Sequence, residues 1–594
     1  MIKAKAHYLF EVSFEVCNKV GGIYTVLVSK IKALSNYYHK NYFLIGPYFP
    51  EKIKGEFKEE KEVGFEKIFE ELKKEGIVCH YGSWLVEGKP KAILIDFQDF
   101  LKEGNNIKKE LWETYQIDSL NAPFDYTEPL VWAWAAGKLL EKISQNLKNK
   151  NIVAHFHEWL SGAGLLYLKK NKISIATVFS THATILGRTL ANDNLPLYDL
   201  LNKINPYEEA KKYNIVAKYQ LEKKSAKLSD VFTVLSEINS LEAQNFLERK
   251  PDFYLPNGLN PESFPSLDQA LINHKIFRSR LNNFLFAFFS PYYNTDIKNA
   301  LFYFIACRYE FRNKGVDIFL KALGQLNKKL KEKKRSKNIF TFLLIPSATK
   351  KVNPEVLQSL ENYRDIIDSL KDSSFEIEEN FIFSLLNEKR VGLKNILDKN
   401  LSSLLEKKIL KFKKQGLPPL CTHELSDSQD IIIKTLHEEK LENKPNDKVK
   451  IIFCPFYLTG DDGLINLDYY ETIQAMDLGV FPSYYEPWGY TPLETAILTV
   501  PAIGSDLAGS GKFFASFVND RNSGIFILQR FKKSESESAK SLFKLLYQFQ
   551  QLSDKEKIEQ KIEARKLAET ANWEKLIENY IKAQNKALSA FYEN

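Results

Sequence analysis

The sequence predicts an α/β protein in which two Rossmann-like domains carry parallel sheets. Short apolar runs alternate with amphipathic stretches along most of the chain, and this alternation is typical of parallel strands joined by crossover helices. The turn-rich stretch 256–261 (PNGLNP) separates two such series. The 594 residues also exceed the roughly 250–300 at which a single hydrophobic core stops growing.

Each strand is predicted where a short apolar run lies between polar or turn-forming residues. The first series of runs comprises residues 9–16, 42–45, 92–97, 152–156, 176–179 and 231–234. The second series comprises residues 301–306, 340–345, 450–453, 478–482 and 502–504. Between the strands, helices are predicted by apolar positions that share one helical face, as Ile23, Val26, Leu27, Ile31 and Leu34 do.

These series define the predicted domains. We expect an N-terminal Rossmann-like domain at 1–265 and a C-terminal one at 266–553. The charged, helix-patterned stretch 350–447 interrupts the second series, and it is interpreted as an inserted helical subdomain and a candidate contact between copies of the chain. The final residues, 554–594, predict one or two amphipathic helices that pack back on the N-terminal domain.

Composition and charge exclude several classes of protein. With 44% hydrophobic and 27% charged residues, the chain is neither mostly disordered nor collagen-like. A net charge of +8, from 83 basic and 75 acidic residues, is small for this length, so we expect no nucleic-acid partner. None of the five cysteines forms a CxxC pair, which favours reduced thiols in the cytoplasm. No run approaches the roughly 18–20 apolar residues that span a bilayer, so no membrane partner is expected.

Ligands of parallel sheets bind beyond the carboxyl ends of the strands, and five strand–loop junctions carry suitable residues. At the first, Lys19 precedes Gly21 and Gly22 at a helix start, which suits an anion, although a plain tight turn explains the pattern equally well. At the second, His155 and His157 share one strand face. A metal site would need further ligands, and we find none at suitable spacing, so one histidine is expected to be buried and the other to touch substrate.

The remaining junctions carry a histidine, two cations and two carboxylates. His182 follows a strand directly, where it is either a cleft residue or a structural histidine. Arg308 and Lys314 straddle a turn ahead of a helix and could grip a diphosphate, against the alternative of surface ion pairs. Glu486 lies within a loop. Glu494 completes an apparent capping box that begins at Thr491, so it has a structural explanation as well.

Eight stretches together carry a resemblance to a known family, in the family's own order and over nearly the whole chain. They are FEVSFEVCNKVGGIYTV, NYFLIGPYF, AHFHEWLSGAGL, FSTHATILGRTL, KPDFYLPNGLN, RYEFRNKGVDIFLKAL, LPPLCTHEL and FPSYYEPWGYTPLE. The chain resembles the glycogen synthases of animals and fungi. These are retaining glycosyltransferases with the GT-B fold, in which two Rossmann-like domains face a cleft.

The resemblance implies glucose transfer from a nucleotide-glucose to the non-reducing 4-OH end of an α-1,4-glucan such as glycogen, with retention of configuration. UDP-glucose is the expected donor and ADP-glucose the alternative. No metal and no other cofactor is implied. A primer protein and a homo-oligomer are the further partners expected. A non-catalytic glucan-binding scaffold would be expected to lack one of the residues His182, Arg308, Lys314 or Glu486, and all four are present.

The resemblance also implies roles for individual residues. Arg308 and Lys314 would bind the diphosphate, Glu486 would lie close to the donor glucose, and His182 would contact that sugar near the reacting carbon. No side chain is an obvious nucleophile, so we favour front-face attack assisted by the leaving phosphate. The other substrate-binding residues are expected to be Lys19, Gly21, Gly22, His157, Glu158, Arg188, Tyr469 against the base, Trp488, Gly489, Tyr490, Thr491, and Glu494 on the ribose.

One departure from the family concerns regulation. Animal and fungal enzymes carry an arginine-rich helix that binds glucose 6-phosphate where this chain has residues 553–567 (SDKEKIEQKIEARKL). Lysine lacks the bidentate fork of arginine, and Asp554 and Glu563 would repel a phosphate. We therefore expect activation by sugar phosphate to be weak or absent.

Overall fold

The computed structural model describes residues 2–61, 64–333, 336–387, 392–518 and 523–593. These residues form two large sheets and one two-stranded ribbon, with helices on both faces of the large sheets. The predicted α/β class with two Rossmann-like sheets is confirmed. Within the described ranges, no helix is both long enough and apolar enough to cross a membrane.

Nine strands build the first sheet. They are β1 (Tyr8–Val12), β2 (Tyr42–Pro47), β3 (Phe57–Glu59), β4 (Val78–Trp84), β5 (Lys91–Asp96), β6 (Ile152–His157), β7 (Ala176–Thr181), β8 (Val231–Val234) and β9 (Phe253–Tyr254). Their order is β3-β4-β5-β2-β1-β6-β7-β8-β9. Only the pairs β3–β4 and β4–β5 are antiparallel.

The second sheet has six strands, all parallel to their neighbours. The second half of the chain supplies β10 (Leu301–Ala306), β11 (Ile339–Leu344), β12 (Thr349–Val352), β13 (His423–Leu425), β14 (Val449–Cys454), β15 (Leu478–Val480), β16 (Ala502–Ser505) and β17 (Ile525–Leu528). The sheet order is β14-β11-β10-β15-β16-β17, while β12 and β13 form the separate antiparallel ribbon.

Helices connect the strands of both sheets. Up to residue 265 the α-helices are Gly22–Tyr38, Glu66–Lys74, Gly104–Tyr115, Phe124–Asn146, Glu158–Lys170, Ile185–Asn192, Leu197–Leu200, Pro206–Lys212, Val216–Leu228 and Glu237–Glu242. After it they are Leu267–Phe289, Val316–Lys331, Pro354–Asp372, Ser374–Asn387, Leu393–Ile396, Lys399–Phe412, Ile431–Glu438, Tyr469–Gln474, Thr491–Ile497, Gly509–Ala515, Glu535–Gln551, Asp554–Ala568 and Trp573–Glu593.

All the predicted strand runs coincide with observed strands, although some bounds differ. The run predicted at 9–16 ends as a strand at Val12, because residues 13–16 turn away and the amide of Val16 donates to the carbonyl of Ser13. The run predicted at 478–482 ends at Val480. The sequence analysis missed strands at the sheet edges and in the ribbon, namely β3, β4, β9, β12, β13 and β17.

The interrupted region of the second half is bounded by the ribbon of β12 and β13. The four helices between these strands protrude from the second sheet, and residues 388–391 within the predicted insertion lie outside the described residues. Helix Ile431–Glu438, which the prediction placed in the insertion, packs instead on Val316–Lys331 beside the sheet. It serves as part of the connection to β14.

The two C-terminal helices lie against different sheets. Helix Trp573–Glu593 packs across β7 and β8 of the first sheet, where Trp573 and Tyr580 are fully buried. Helix Asp554–Ala568 packs on Thr491–Ile497 of the second domain, which the sequence analysis had not anticipated. The chain therefore crosses back from the second domain to the first between these two helices.

Candidate active site

The second sheet has its topological switch point between β10 and β15. From β10 the chain continues to β11 and β14 on one side, and then returns to β15 on the other. Ligands of open α/β sheets bind in the crevice at such a point. A cavity of about 190 Å³ lies there. The predicted site residues among those lining it are Arg308, Lys314, Glu486, Gly489, Tyr490 and Thr491.

The central contact of this cavity is an ion pair between Lys314 and Glu486. The ammonium of Lys314 bonds Oε2 of Glu486, and the two side chains are 11% and 22% exposed. Gly315 has φ +71°, and a Cβ there would lie 1.9 Å from the carbonyl oxygen of Pro482. Only glycine therefore lets the loop after β10 lie this close to the loop after β15.

Arg308 stands at the outer side of the same cavity. Its guanidinium pairs with Glu310 at 2.8 Å, and its side chain is 76% exposed. An ion pair this exposed contributes little, about 0–1 kcal/mol. A diphosphate in the cavity can therefore compete for the guanidinium at small cost. The cavity offers one fork-shaped cation and one point cation, as the sequence predicted.

Glu494 is held by two tyrosines at the start of helix Thr491–Ile497. Its carboxylate accepts hydrogen bonds from Tyr470 Oη at 3.1 Å and Tyr469 Oη at 3.4 Å. Burial raises its pKa, against the two hydrogen bonds that lower it. The capping box predicted at 491–494 is wrong, because Tyr490 is the N-cap residue, no side chain caps this helix, and Glu494 turns to the tyrosines.

Trp488 lies in the loop between Glu486 and this helix. It is buried, and its ring packs against Phe513 with centroids 5.9 Å apart. Gly489 follows with φ +90°, and a Cβ there would lie 2.9 Å from Cγ of Glu486. The loop is thus shaped to keep the Glu486 side chain beside the cavity.

The first sheet has its switch point between β1 and β6, and the loop after β1 carries Lys19, Gly21 and Gly22. All three residues are exposed. The carboxylate of Glu15 accepts the amides of Gly21 at 2.9 Å and Tyr24 at 2.8 Å. The chain's own carboxylate therefore occupies amides of the helix start that was predicted to bind an anion. The sequence analysis missed this role of Glu15.

Glu158 positions the loop that carries His182. It has φ +65° directly after β6, and its carboxylate accepts the amides of His182 at 3.0 Å and Ala183 at 3.1 Å. A non-glycine residue in this conformation costs about 1–3 kcal/mol, a strain that clusters at functional sites. Burial raises the pKa of Glu158 to about 7, although the charge of Arg188 acts to lower it.

Arg188 lies on the helix that follows His182, and its side chain is open to solvent. Although the residue reaches solvent, the protein atoms around its guanidinium displace water and would lower its pKa, but the attraction of carboxylates, Glu158 first and then Glu222 and Glu15, raises it. Arg188 thus remains a cation on the first-domain side of the site.

His157 lies beneath His182 and has no free ring nitrogen. Its Nδ1 contacts Nε2 of His182 at 3.0 Å, and its Nε2 contacts the carboxylate of Glu11 at 3.2 Å. The side chain is fully buried. The expected contact of His157 with substrate is therefore not available, and His157 and Glu158 support His182 from beneath.

The structure places a carboxylate beside His155 and His157, a third possible metal ligand that the spacing did not reveal. Ligand atoms of Glu11, His155 and His157 lie within 4.8 Å of one another. However, the buried ammonium of Lys30 lies 2.5 Å from the same Glu11 oxygen. A metal ion would have to displace that cation or sit beside it at low dielectric, so the donor set does not fit a metal.

The predicted site residues therefore fall into two groups. One group lines the cavity of the second domain, with Tyr469 and Glu494 beside it. The other, around His182 and Arg188, lies in the first domain. Across the part of the chain that the structure describes, no hydrogen bond or ion pair joins a predicted site residue of one group to one of the other. The two domains nevertheless touch nearby, where Tyr485 Oη lies 3.5 Å from Glu242.

The chain is similar to known proteins over nearly its whole length. A family model described as glycogen synthase matches residues 11–594. The rat liver glycogen [starch] synthase is 35% identical over 585 residues, which cover 98% of this chain and 83% of the rat protein. Isoform 2 from Saccharomyces cerevisiae is 32% identical over 612 residues, 99% of this chain and 87% of the yeast protein. The catalytic domain of starch synthase IV from Arabidopsis thaliana, solved with ADP and acarbose, superposes with a TM-score of 0.51 at 14% identity, covering 98% of this chain and all of that one.

Replacing Lys314 with alanine should weaken binding of a nucleoside diphosphate and lower turnover by about 10²–10³-fold, the usual effect of removing one charge-stabilising donor. The fold should persist, since Lys314 is a partly exposed loop residue. Calorimetric titration with UDP and steady-state rates measure the effect. Lys321→Ala, which removes an exposed lysine paired with Glu535, is the matched control. Near-normal rates in Lys314→Ala would remove this residue from the diphosphate site.

Chelation should leave activity unchanged. Arg308 and Lys314 are cations placed to meet the charge of a diphosphate, and Lys30 already neutralises Glu11 in the one cluster of metal-ligand type found among the described residues. Rates measured after dialysis against EDTA should match those of untreated protein. Strong inhibition that a divalent ion reverses would contradict this assignment.

Proposed function

The chain belongs to the glycogen synthase family and is a glycosyltransferase, and on that premise we propose that it transfers glucose from UDP-glucose to the non-reducing 4-OH ends of an α-1,4-glucan such as glycogen. The observation that carries the proposal is the cavity at the β10–β15 switch point. There Lys314, Glu486 and Arg308 meet beside a helix start. UDP-glucose rather than ADP-glucose is proposed because it is the donor that the resemblance to the animal and fungal glycogen synthases implies.

Departure of the nucleoside diphosphate is the step that this cavity assists. Negative charge grows on the phosphate oxygens as the glucosyl bond breaks, and the Lys314 ammonium and Arg308 guanidinium are the cations beside it. Groups of this kind, held in place before reaction, each contribute several kcal/mol. The phosphate also competes for the Lys314 ammonium, which frees the carboxylate of Glu486 for a sugar hydroxyl.

We propose retention by front-face attack. In the absence of donor, the Glu486 carboxylate is held by Lys314, and it serves to orient the sugar. The acceptor hydroxyl attacks the anomeric carbon from the side on which the diphosphate leaves. Its proton passes to a leaving phosphate oxygen, so the new bond keeps the donor's configuration. Glu494, with its two tyrosine partners, is assigned to the ribose, and the Tyr469 ring to the base.

The contacts of helix Asp554–Ala568 support the expectation that sugar phosphate activates the protein weakly or not at all. Lys557, Lys561 and Arg565 are all nearly buried on this helix. The Arg565 guanidinium donates to the carbonyls of Pro265 and Ile497 at 2.7 and 2.9 Å, so it is used within the fold. Burial lowers the pKa of Lys561 to about 8, and its Nζ lies 3.1 Å from Nε2 of His274, so Lys561 is also engaged within the fold.

Homo-oligomerisation is proposed through the protruding helices. Helix Ser374–Asn387 exposes a set of large apolar side chains. Monomeric proteins rarely expose so many neighbouring apolar side chains together. They are Phe375 at 70%, Phe381 at 44%, Ile382 at 57%, Phe383 at 69%, Leu385 at 57% and Leu386 at 80% exposure. A second copy of this helix is the occupant we propose for this face.

The donor assay tests the proposed reaction. Purified protein is given glycogen with radiolabelled UDP-glucose or ADP-glucose, each with and without glucose 6-phosphate. Incorporation should be greater from UDP-glucose and should change less than about twofold with the sugar phosphate. Greater incorporation from ADP-glucose would reverse the nucleotide assignment. A several-fold activation would contradict the interpretation of helix Asp554–Ala568, and no incorporation would favour a scaffold.

Charge placed on the apolar face should dissociate the oligomer. Phe383→Glu combined with Leu386→Glu should lower the mass measured by light scattering to that of one chain, because two buried carboxylates without partners oppose association. Leu120→Glu, at a leucine that is 88% exposed elsewhere, is the control and should leave the mass unchanged. An unchanged mass in the double variant would place the interface elsewhere.

A further inference from the structure

A series of buried polar side chains, in contact one after another, runs from the interior of the first domain to His182. Glu11 on β1 receives the ammonium of Lys30 at 2.5 Å and the hydroxyl of Tyr42. The same carboxylate lies 3.2 Å from Nε2 of His157, whose Nδ1 lies 3.0 Å from Nε2 of His182. Glu11, Lys30 and His157 are fully buried. None of these contacts reaches the cavity of the second domain.

The chain of contacts determines where each proton lies. Burial would raise the pKa of Glu11, but Lys30 and the other partners lower it, so Glu11 is a carboxylate that can only accept. Nε2 of His157 must therefore carry a hydrogen. Burial lowers the pKa of His157 well below its usual value, so its ring is neutral and Nδ1 is an acceptor.

The same reasoning extends to His182. Because Nδ1 of His157 accepts, Nε2 of His182 must donate. Burial, with the charges of Lys30 and Arg188, lowers the pKa of His182 to about 3, so this ring is neutral as well. Its Nδ1 is then a bare acceptor. Among the described residues, Nδ1 of His182 has no hydrogen-bond partner. It is also not among the fully buried polar atoms without a partner, so it is accessible to solvent.

We propose that Glu11 and His157 are positioning residues, which fix His182 as the Nε2–H tautomer so that its Nδ1 accepts a hydrogen bond from one hydroxyl of the donor glucose. This inference rests on the proposed function for the identity of the ligand. The tautomer itself rests only on the buried contacts. Neither Glu11 nor His157 touches the substrate.

The cost of the network supports a role beyond stability. A buried ion pair is often no more stabilising than apolar residues of the same volume, and here the pair lies beside two neutral imidazoles. The elements that meet at Glu11 and Lys30 are β1, β2, β6, helix Gly22–Tyr38 and the C-terminal helix, whose Tyr580 ring lies 4.6 Å from the Lys30 ammonium. The network therefore holds the His157 ring at both of its nitrogens.

Nuclear magnetic resonance of the wild-type protein tests the tautomer without a variant. Histidines are labelled with ¹⁵N, and ring nitrogens are correlated with ring protons at pH 7.5, with His157→Phe and His182→Gln used for assignment. We expect neutral rings with hydrogen on Nε2 for both His157 and His182. Hydrogen on Nδ1 of His182, or a charged ring, would overturn the proposal whether or not the protein has the proposed activity.

Kinetics tests the consequence. In Glu11→Gln the amide oxygen can hold Lys30 while its NH₂ group donates to Nε2 of His157, which reverses every hydrogen bond as far as His182. Turnover should fall about 10- to 100-fold, with a much smaller change in KM. A loss of this size is expected when a buried hydrogen-bonding group loses its partner. His157→Phe should show the same loss.

His155→Phe is the matched control. His155 is equally buried on the same strand face, where its ring stacks on that of His157 with centroids 4.3 Å apart and its Nδ1 lies 3.7 Å from Glu11. Its hydrogen bond, however, goes to Ser180 and not to His182, and phenylalanine keeps the stacking, so turnover should stay within about threefold of wild type. Equal losses in His155→Phe and His157→Phe, at equal melting temperatures, would show a packing effect and overturn the positioning role.

Donors that each lack one glucose hydroxyl identify the partner of Nδ1. The penalty of Glu11→Gln should disappear for one of these UDP-sugars, because the bond that it disturbs is already missing. An undiminished penalty for every analogue would overturn the contact with a donor hydroxyl. Absence of activity in wild-type protein would instead contradict the proposed function. The tautomer measurement would still test whether Glu11 and His157 fix the tautomer of His182.

Discussion

The ion pair between Lys314 and Glu486 is the contact around which the donor cavity is arranged. It joins the loops after β10 and β15 at the switch point of the second sheet, and Gly315 permits the close approach that the pair needs. A cation and a carboxylate that hold each other before the donor arrives need little rearrangement when it binds. In the proposed mechanism, the donor phosphate takes the cation, and the carboxylate becomes available to the sugar.

The first domain supplies a different kind of order. Its charges are buried and paired with one another, as in Glu11 with Lys30, or are turned to backbone amides, as in Glu15 and Glu158. Such an arrangement holds His182 and its loop in one geometry before substrate enters. In the proposed reaction, the second domain stabilises the leaving group, while the first presents a neutral, oriented histidine. The second-domain set lies at the switch point of its sheet, and the first-domain set follows the ends of β6 and β7, next to the switch point of the first sheet. Ligands of such sheets bind beyond these strand ends.

The topology and most loop residues could be predicted from sequence because they depend on local patterns. Buried parallel strands are near-continuous apolar runs, and cations or carboxylates just after them stand out. Strand β4 (VCHYGSW), next to the edge strand β3, could not be found in this way, since His80, Gly82 and Ser83 interrupt its apolar character. The residues at 491–494 match the capping-box pattern, but the hydroxyls of Tyr469 and Tyr470 donate to the Glu494 carboxylate instead.

Contacts between distant residues were beyond the sequence. Glu11 and His157 are separated by 146 positions, and Lys30 reaches Glu11 from a helix. Their pairing follows from the neighbouring positions of β1 and β6 in the sheet, which no local pattern encodes. For the same reason, the spacing left open which of His155 and His157 touches substrate, and the resemblance implied His157, whereas the structure places both ring nitrogens of His157 in the interior.

The most direct test of this account is the stereochemistry and linkage of the product. Protein freed of metal by chelation is given UDP-glucose labelled with ¹³C at the anomeric carbon and a short α-1,4-glucan, and the product is examined by carbon and proton magnetic resonance. The account predicts that labelled residues appear at the non-reducing end in α-1,4 linkage, with the donor's configuration retained. Labelled residues in β linkage, or label released only as free glucose, would contradict it.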